Sequence, residues 1–197
     1  LKHPNWKMGK KITIDSSTLM NKIFEFIEAK KIFNLTKNQI SILIHPKSFL
    51  HAIVFMNGET IRILAHDTNM IIPISNALGI KQSKINIKFK IKKLTDIANF
   101  KMIEPDKKNF PLITTLKLLP NKDSYFETIL ITLNDELVDM YLNKKISYVS
   151  IHYNLLKFIK KPYFRKFYRS KPKNINNIKN MIELTKKYLR ANYINYE

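Results

Sequence analysis

Only three glycines occur among 197 residues, at Gly9, Gly58 and Gly79. A G-x-G-x-x-G fingerprint needs three glycines in one short turn, and a phosphate-cradling glycine loop is similarly demanding. Neither can be assembled here, so any nucleotide-binding domain must lie outside these residues. What glycine can still do is turn the chain. Asn57-Gly58 stands between two β-rich runs, Leu50–Met56 and Glu59–Ala65, which is the strongest short-range signal for a hairpin.

Other features narrow the fold further. Hydrophobic residues make up 45% of the chain, enough for a packed core and too many for a disordered polyelectrolyte. No apolar run approaches the length of a membrane-spanning helix, and no signal peptide is apparent. There is no cysteine, which excludes disulfides, thiolate–metal sites and a cysteine nucleophile. The chain begins at Leu1 and runs straight into an ordered-looking motif, so a piece of a longer polypeptide is expected.

The formal net charge is +20. Nucleic-acid binding is one reading of it. Against that reading, the cations are nearly all lysine, with arginine only at 62, 165, 169 and 190, whereas base-reading proteins favour arginine. Lys, Ile and Asn dominate throughout, as AT-rich coding sequence would produce. Anionic small substrates fit the charge equally well.

Hydrophobic periodicity predicts an α+β unit followed by a small helical bundle. Leu1–Thr18 reads as a loop with a short extended run at Lys11–Ile14. Ser16, Ser17 and Thr18 are candidate caps for a helix over about Thr18–Phe33, with Met20, Phe24, Ile27 and Ile32 as its apolar positions. Asn21, Glu25 and Glu28 share the opposite face. Ile40, Ile42 and Ile44 alternate as a strand would. Asp67–Pro73 reads as a loop, and residues 80–107 as a Lys-rich connector. Helices are expected over Pro111–Leu119, Tyr125–Asn143, Ile151–Ile159 and Ile175–Tyr193, with Pro162 and Pro172 breaking the chain between the last two. The expected organisation is an α+β portion at 1–79 that carries the candidate site residues, a connector at 80–107 and a helical domain at 108–197.

The segment from His3 to Glu25 carries the chemistry. Ser16, at an expected helix start, would face unpaired backbone N–H groups, a ready anion site. Asn21 adds an amide and Lys22 a mobile cation, so the three could hold a phosphate. Glu25, one turn on, suits a divalent cation next to that phosphate, with further carboxylates from outside this chain. His3 could donate to a substrate oxygen or act as acid and base. Trp6 and Met8 could form a mobile apolar cover. Each has an ordinary alternative. A serine at a helix start is commonly just a cap, paired glutamates are commonly solvated, and tryptophan is commonly a packing anchor. His45, His51, His66 and Asp67 form no recognised metal motif; the first two read as structural and the last two as surface polar residues.

In combination, three blocks resemble the 1-deoxy-D-xylulose 5-phosphate reductoisomerase family. They are His-Pro-x-Trp-x-Met-Gly (3–9), Ile-Asp-Ser-x-Thr-Leu-Met-Asn-Lys (14–22), and Glu25 with Ile27-Glu28-Ala29. The similarity continues through Leu43-Ile44-His45-Pro46-x-Ser48 and His51. It is fainter at Met70-x-x-Pro73-Ile74, Phe110-Pro111 and Asn134-Asp135-Glu136. The resemblance implies an oxidoreductase of isoprenoid biosynthesis that isomerises a phosphorylated substrate by a retro-aldol/aldol rearrangement. Reduction with NADPH to 2-C-methyl-D-erythritol 4-phosphate follows, with Mg²⁺, Mn²⁺ or Co²⁺ required. It implies Glu25 as a metal ligand that also meets the substrate, and Ser16, Asn21 and Lys22 as phosphate and substrate contacts. His3 would be a further substrate contact, taking part in catalysis together with Lys22. Gly9 would approach NADPH through its backbone, and Trp6 and Met8 would be the flap. A homodimer without nucleic-acid or membrane partners is expected, in the cytoplasm or a plastid-type organelle. The family's NADPH domain and its acidic motif are not within this sequence, and its glycine after Asn-Lys is Ile23 here. A catalytically inactive relative serving as an interaction module is the alternative, and a basic nucleic-acid-binding protein is a more distant one.

Overall fold

The computed structural model describes residues 9–80 and 101–193. His3, Trp6, Met8 and most of the expected connector lie outside the described residues. The elements in chain order are α1 (Lys10–Ser17), α2 (Met20–Ile32), a 3₁₀ turn (Lys37–Gln39), β1 (Leu50–Met56), β2 (Thr60–Ala65), α3 (Ile71–Ala77), a 3₁₀ helix (Pro111–Leu118), α4 (Phe126–Leu142), α5 (Tyr148–Ile159), α6 (Pro162–Arg165) and α7 (Ile175–Tyr193). The fold is α+β with a helical C-terminal part. Packing divides the chain into two units, and not at the boundaries expected from sequence. One unit holds residues 9–42 and 105–193, the other 43–80 and 101–104.

The first unit is helical. In α4, Phe126, Ile129, Leu130, Leu133 and Leu137 recur at helical spacing and are wholly or almost wholly buried. They meet Ile151, Leu155 and Phe158 of α5, Phe164 of α6, and Met181 and Leu189 of α7 in one core. Ile14, Met20, Ile23, Phe26 and Ile27 of α1 and α2 belong to that same core, which is why these helices group with the bundle. The helix starts are chemically marked. Ser147 Oγ accepts from the Ser150 N–H at 3.2 Å, and Asn174 Oδ1 accepts from the Asn177 N–H at 3.0 Å. Pro162 opens α6 at a position where its missing N–H costs nothing. The Tyr168 hydroxyl donates to the Ile159 carbonyl and ties the α6 turn back to α5; burial pushes the phenol's pKa up.

Several expectations fail in this unit, two of them in its first helices. Lys11–Ile14 is helical, not extended. The β-branched run Ile12-Thr13-Ile14 favours a strand locally, but Thr13 Oγ1 donates back to the Gly9 carbonyl at 2.9 Å, and Lys11 pairs with Asp15 one turn on at 2.7 Å. Ile14 then gains a place in the core. Ile32 is exposed, because it falls on the outer side of the last turn of α2, and Ile23 fills the core in its stead.

In the second unit β1 and β2 pair antiparallel around Asn57-Gly58, as the turn signal predicts. Asn57 (φ 56°) and Gly58 (φ 74°) both take the left-handed conformation, and the Glu59 N–H donates to the Met56 carbonyl at 3.2 Å; the register pairs Met56 with Thr60, so β2 starts one residue later than expected and Glu59 belongs to the turn. The alternation at Ile40, Ile42 and Ile44 does not make a strand. Ile44 forms only a bridge with Ile103, while Ile40 and Ile42 pack against the helical core of the first unit's own residues. The loop expected at Asp67–Pro73 ends early. The Asn69 side chain accepts from the Ile71 N–H at 3.0 Å, so α3 starts there with Pro73 in its first turn.

Candidate functional site

The site is built on two short helices joined by a sharp corner. Thr18 ends α1, its N–H donating to the Ile14 carbonyl at 2.9 Å, and Leu19 takes φ 64°. A left-handed leucine costs about 1–2 kcal/mol, tolerable here because the corner is buried and hydrogen-bonded. Leu19 N–H donates to the Ser16 carbonyl at 3.2 Å, and its own carbonyl accepts from Lys22 and Ile23 N–H at 3.1 and 3.2 Å. Ser16 is therefore not at a helix start. It is half-buried in the last turn of α1, among carbonyls, not free N–H groups, and the anion-site argument made for it does not hold as stated.

Asn21, Lys22 and Glu25 are brought together. On the outer face of α2, Asn21 Nδ2 donates to Glu25 Oε1 at 2.7 Å and Lys22 Nζ donates to Glu25 Oε2 at 2.6 Å. Helical spacing of three and four accounts for this. The Glu25 and Lys22 side chains remain 46% and 43% exposed, so both are accessible to a ligand. Asn21 also lines a cleft of about 490 Å³ with Gly9, Lys11, Asp15 and Phe24. Among the described residues no hydrogen bond joins the Ser16 side chain to this network, and no group of three His, Asp or Glu side chains is placed to hold a metal.

Behind the cleft lies a buried network that sequence reasoning missed. Asp15 is 3% exposed; Asn134 Nδ2 donates to its Oδ1 at 2.7 Å, and Lys11 Nζ to its Oδ2 at 2.7 Å. Lys11 also meets Asp135 at 3.0 Å. Burial works against the Lys11 charge, yet Asp15 and Asp135 outweigh it and raise its pKa above the ordinary 10.5. Asn134 is fully buried and its Oδ1 has no partner among the described residues. The Tyr148 hydroxyl donates to Ser17 Oγ at 3.0 Å, a second tie between α1 and the bundle. The signal was present: Lys11 and Asp15 stand four apart, which matters once the segment is read as a helix.

Ile23, where the resemblance leads one to expect glycine, is wholly buried in the core and does not enter the cleft. In the second unit His51 stacks on His66 with ring centres 3.8 Å apart, and His51 Nε2 lies 3.1 Å from the His66 carbonyl. Asp67 is buried, not a surface residue, and its Oδ1 accepts from the Thr68 N–H at 2.7 Å.

Comparison with known families decides the ancestry. Residues 66–190 match the model of the DXP reductoisomerase C-terminal domain, and residues 1–33 match a second model, the 1-deoxy-D-xylulose 5-phosphate reductoisomerase C-terminal domain. The chain belongs to the 1-deoxy-D-xylulose 5-phosphate reductoisomerase family. It is 51% identical over 181 residues to the reductoisomerase of Pelagibacter ubique (strain HTCC1062), covering 92% of this chain and 46% of that protein. With the Persephonella marina reductoisomerase it shares 36% identity over 188 residues, 95% of this chain and 48% of the relative. A crystal structure of DOX-P reductoisomerase in complex with NADPH, fosmidomycin and magnesium superposes with a TM-score of 0.82 at 28% identity, covering 96% of this chain and 47% of that one. The chain thus spans about half the length of the reductoisomerases it matches.

Proposed function

We propose that the protein carrying this chain converts 1-deoxy-D-xylulose 5-phosphate to 2-C-methyl-D-erythritol 4-phosphate. The route is a retro-aldol/aldol isomerisation and then reduction with NADPH, in isoprenoid precursor biosynthesis. The observation that carries this reading is the Asn21–Glu25–Lys22 network, an accessible carboxylate flanked by an amide and a cation at the positions the reductoisomerase resemblance assigns to metal and substrate. In this division of labour 1–79 is the catalytic portion, 80–107 a connector and 108–197 the helical domain.

A divalent cation, Mg²⁺ or Mn²⁺ (or Co²⁺), suits Glu25. The carboxylate is a hard oxygen donor, exposed, and held by hydrogen bonds that can rearrange. Mg²⁺ needs only one or two protein carboxylates when substrate and water complete its shell. When bound, such a cation polarises neighbouring substrate oxygens and stabilises negative charge on them. Lys22 would then leave Glu25 and be free to meet the substrate phosphate. Asn21 would orient the substrate beside it, with Ser16 from the preceding helix as a further contact. Gly9 suits a cofactor that approaches backbone: apart from its chain neighbours, no atom of the described residues lies within 4 Å of where a Cβ would stand, and it lines the same cleft as Asn21. His3 as a substrate contact and catalytic group, with Trp6 and Met8 as a flap, completes the proposal. Ile23 is buried in the core and lies away from the cleft, which supports an active enzyme over an inactive relative. No described helix is long and apolar enough to cross a membrane. A cytoplasmic or plastid-type location, with no nucleic-acid partner, is part of the same proposal.

The test is NADPH oxidation by the complete protein, dependent on 1-deoxy-D-xylulose 5-phosphate and on added Mg²⁺. Lys22→Ala should raise KM for that substrate at least tenfold, as expected for loss of a charge-assisted contact. No substrate-dependent oxidation would overturn the assignment, and an unchanged KM would remove Lys22 from phosphate binding.

A homodimer is also proposed, supported by the β1–β2 hairpin. Phe55 is 71% and Ile61 58% exposed, and Val54, Ile63 and Leu64 are exposed beside them. Such an apolar hairpin, whose outer edges pair with no further strand among the described residues, invites a partner strand. Phe55→Glu combined with Ile61→Glu should convert dimer to monomer in sedimentation velocity. Persistence of the dimer would move the interface elsewhere.

A further inference from the structure

At the far end of α2 from the Asn21–Glu25–Lys22 network lies a second cleft, of about 840 Å³. Lys30, Lys31, Lys37, Lys122, Arg169 and Lys171 line it, against one lining carboxylate, Asp123. That carboxylate is already shared. Lys31 Nζ reaches it at 2.8 Å and Lys171 Nζ at 3.7 Å. Hydrogen bonding and charge from Lys31 first, then the charges of Lys171 and Lys30, hold its pKa below the ordinary carboxylate value. Glu127, buried nearby, gives Lys31 a second partner at 3.4 Å.

The remaining cations are not so provided. Among the described residues, Lys30, Lys37, Lys122 and Arg169 have no carboxylate within salt-bridge distance. Lys30 matters most, because it is only 7% exposed. Its apolar stem is covered while the residue lines the cleft, the arrangement of a long side chain that buries its methylenes and presents its charged end. The C-terminal end of α2 accounts for part of this clustering, since the dipole there attracts cations. Its strength is roughly half an elementary charge, too little for six cations. The asparagines at 34, 38 and 121 add neutral donors around the same space.

We infer that this cleft is a binding site for a small, multiply charged phosphate anion, separate from the substrate site. The separation follows from helix geometry: Asn21 and Lys30 are nine residues apart on one helix, or about 13 Å along its axis. Arg169 is one of four arginines in the chain, and its planar fork matches two phosphate oxygens at once, while the lysines act as point charges. Lys30 at the inner wall supplies the charge that an anion drawn into the cleft would neutralise.

Inorganic tripolyphosphate is the probe, titrated by calorimetry into the complete native protein at physiological ionic strength. Saturable binding with one anion per chain is expected. Arg169→Gln with Lys122→Gln, both at the cleft mouth and remote from the core, should raise Kd at least tenfold. Lys30→Met should do the same, with circular dichroism confirming that the helices remain. Glu25→Gln should leave Kd unchanged, which separates this site from the proposed substrate site whatever the protein's activity proves to be. Absence of saturable binding, or a Kd that the Arg169 and Lys122 changes do not move, overturns the inference. So does tighter retention of duplex DNA than of tripolyphosphate through these same residues, which would make the cleft a nucleic-acid face.

Discussion

Glu25→Gln in the complete protein is expected to lower metal-dependent turnover by about a hundredfold or more, equivalent to roughly 3 kcal/mol of transition-state stabilisation, while leaving the fold intact. The substitution changes one atom and one charge. The amide oxygen can still accept from Asn21 or Lys22, and helix-surface pairs of this kind contribute only about 0.2–0.5 kcal/mol each. The side chain is also exposed, so no core contact is disturbed. What disappears is the anionic oxygen that a hard divalent cation requires, for which a neutral amide is a poor substitute. Two measurements separate the effects. A denaturation midpoint close to wild type would show that structure survives. A metal titration should show a raised apparent dissociation constant, with turnover partly restored at high Mg²⁺. Near-normal turnover at low metal would remove Glu25 from the ligand set. The same titration would test whether Lys22 is released when Glu25 is occupied, since Lys22→Ala should bind metal more tightly than wild type.

How much of this was legible beforehand differs by element, for physical reasons. The hairpin was legible because Asn57-Gly58 satisfies a local rule: both residues must reach positive φ, and these two residues can. The bundle helices were legible because each buries one stripe against neighbours that are themselves helical. Ile175–Tyr193 has the boundaries that periodicity assigns. α1 was not legible. Its Ile-Thr-Ile run carries strand preference, and only tertiary contacts override it: Ile14 in the core, Asp15 against Asn134. That single misreading moved Ser16 from an imagined helix start to a real helix end. The Asn21–Glu25–Lys22 network survived it because it depends on α2 alone, where spacing and surface position agree. The Asp15–Asn134 pair joins residues 119 apart in sequence, and no window-based pattern can reach across that distance.

That long-range pair sets the second large effect. Asn134→Leu is expected to destabilise the protein by about 3 kcal/mol, seen as a lower denaturant midpoint with an unchanged slope. Asp15 is almost fully buried, and its carboxylate is held by one donor on each oxygen, Asn134 Nδ2 and Lys11 Nζ, both at 2.7 Å. Leucine has similar volume and removes the first donor without opening a large cavity. A buried carboxylate oxygen is then left without its partner, and a hydrogen bond to a charged group contributes about 1.5–3 kcal/mol. One term opposes the loss. The Asn134 Oδ1 is itself buried without a partner, so its removal recovers part of the cost. Lys11 cannot compensate, because it already spans Asp15 and Asp135. The double change Asp15→Leu with Asn134→Leu removes charge and donor together, and should be less destabilising than the two single changes added. If Asn134→Leu lowers the unfolding free energy by less than about 0.5 kcal/mol, the pair is not what holds α1 to α4. The hydrophobic contacts of Ile14 and Met20 must then position the helices that carry Glu25.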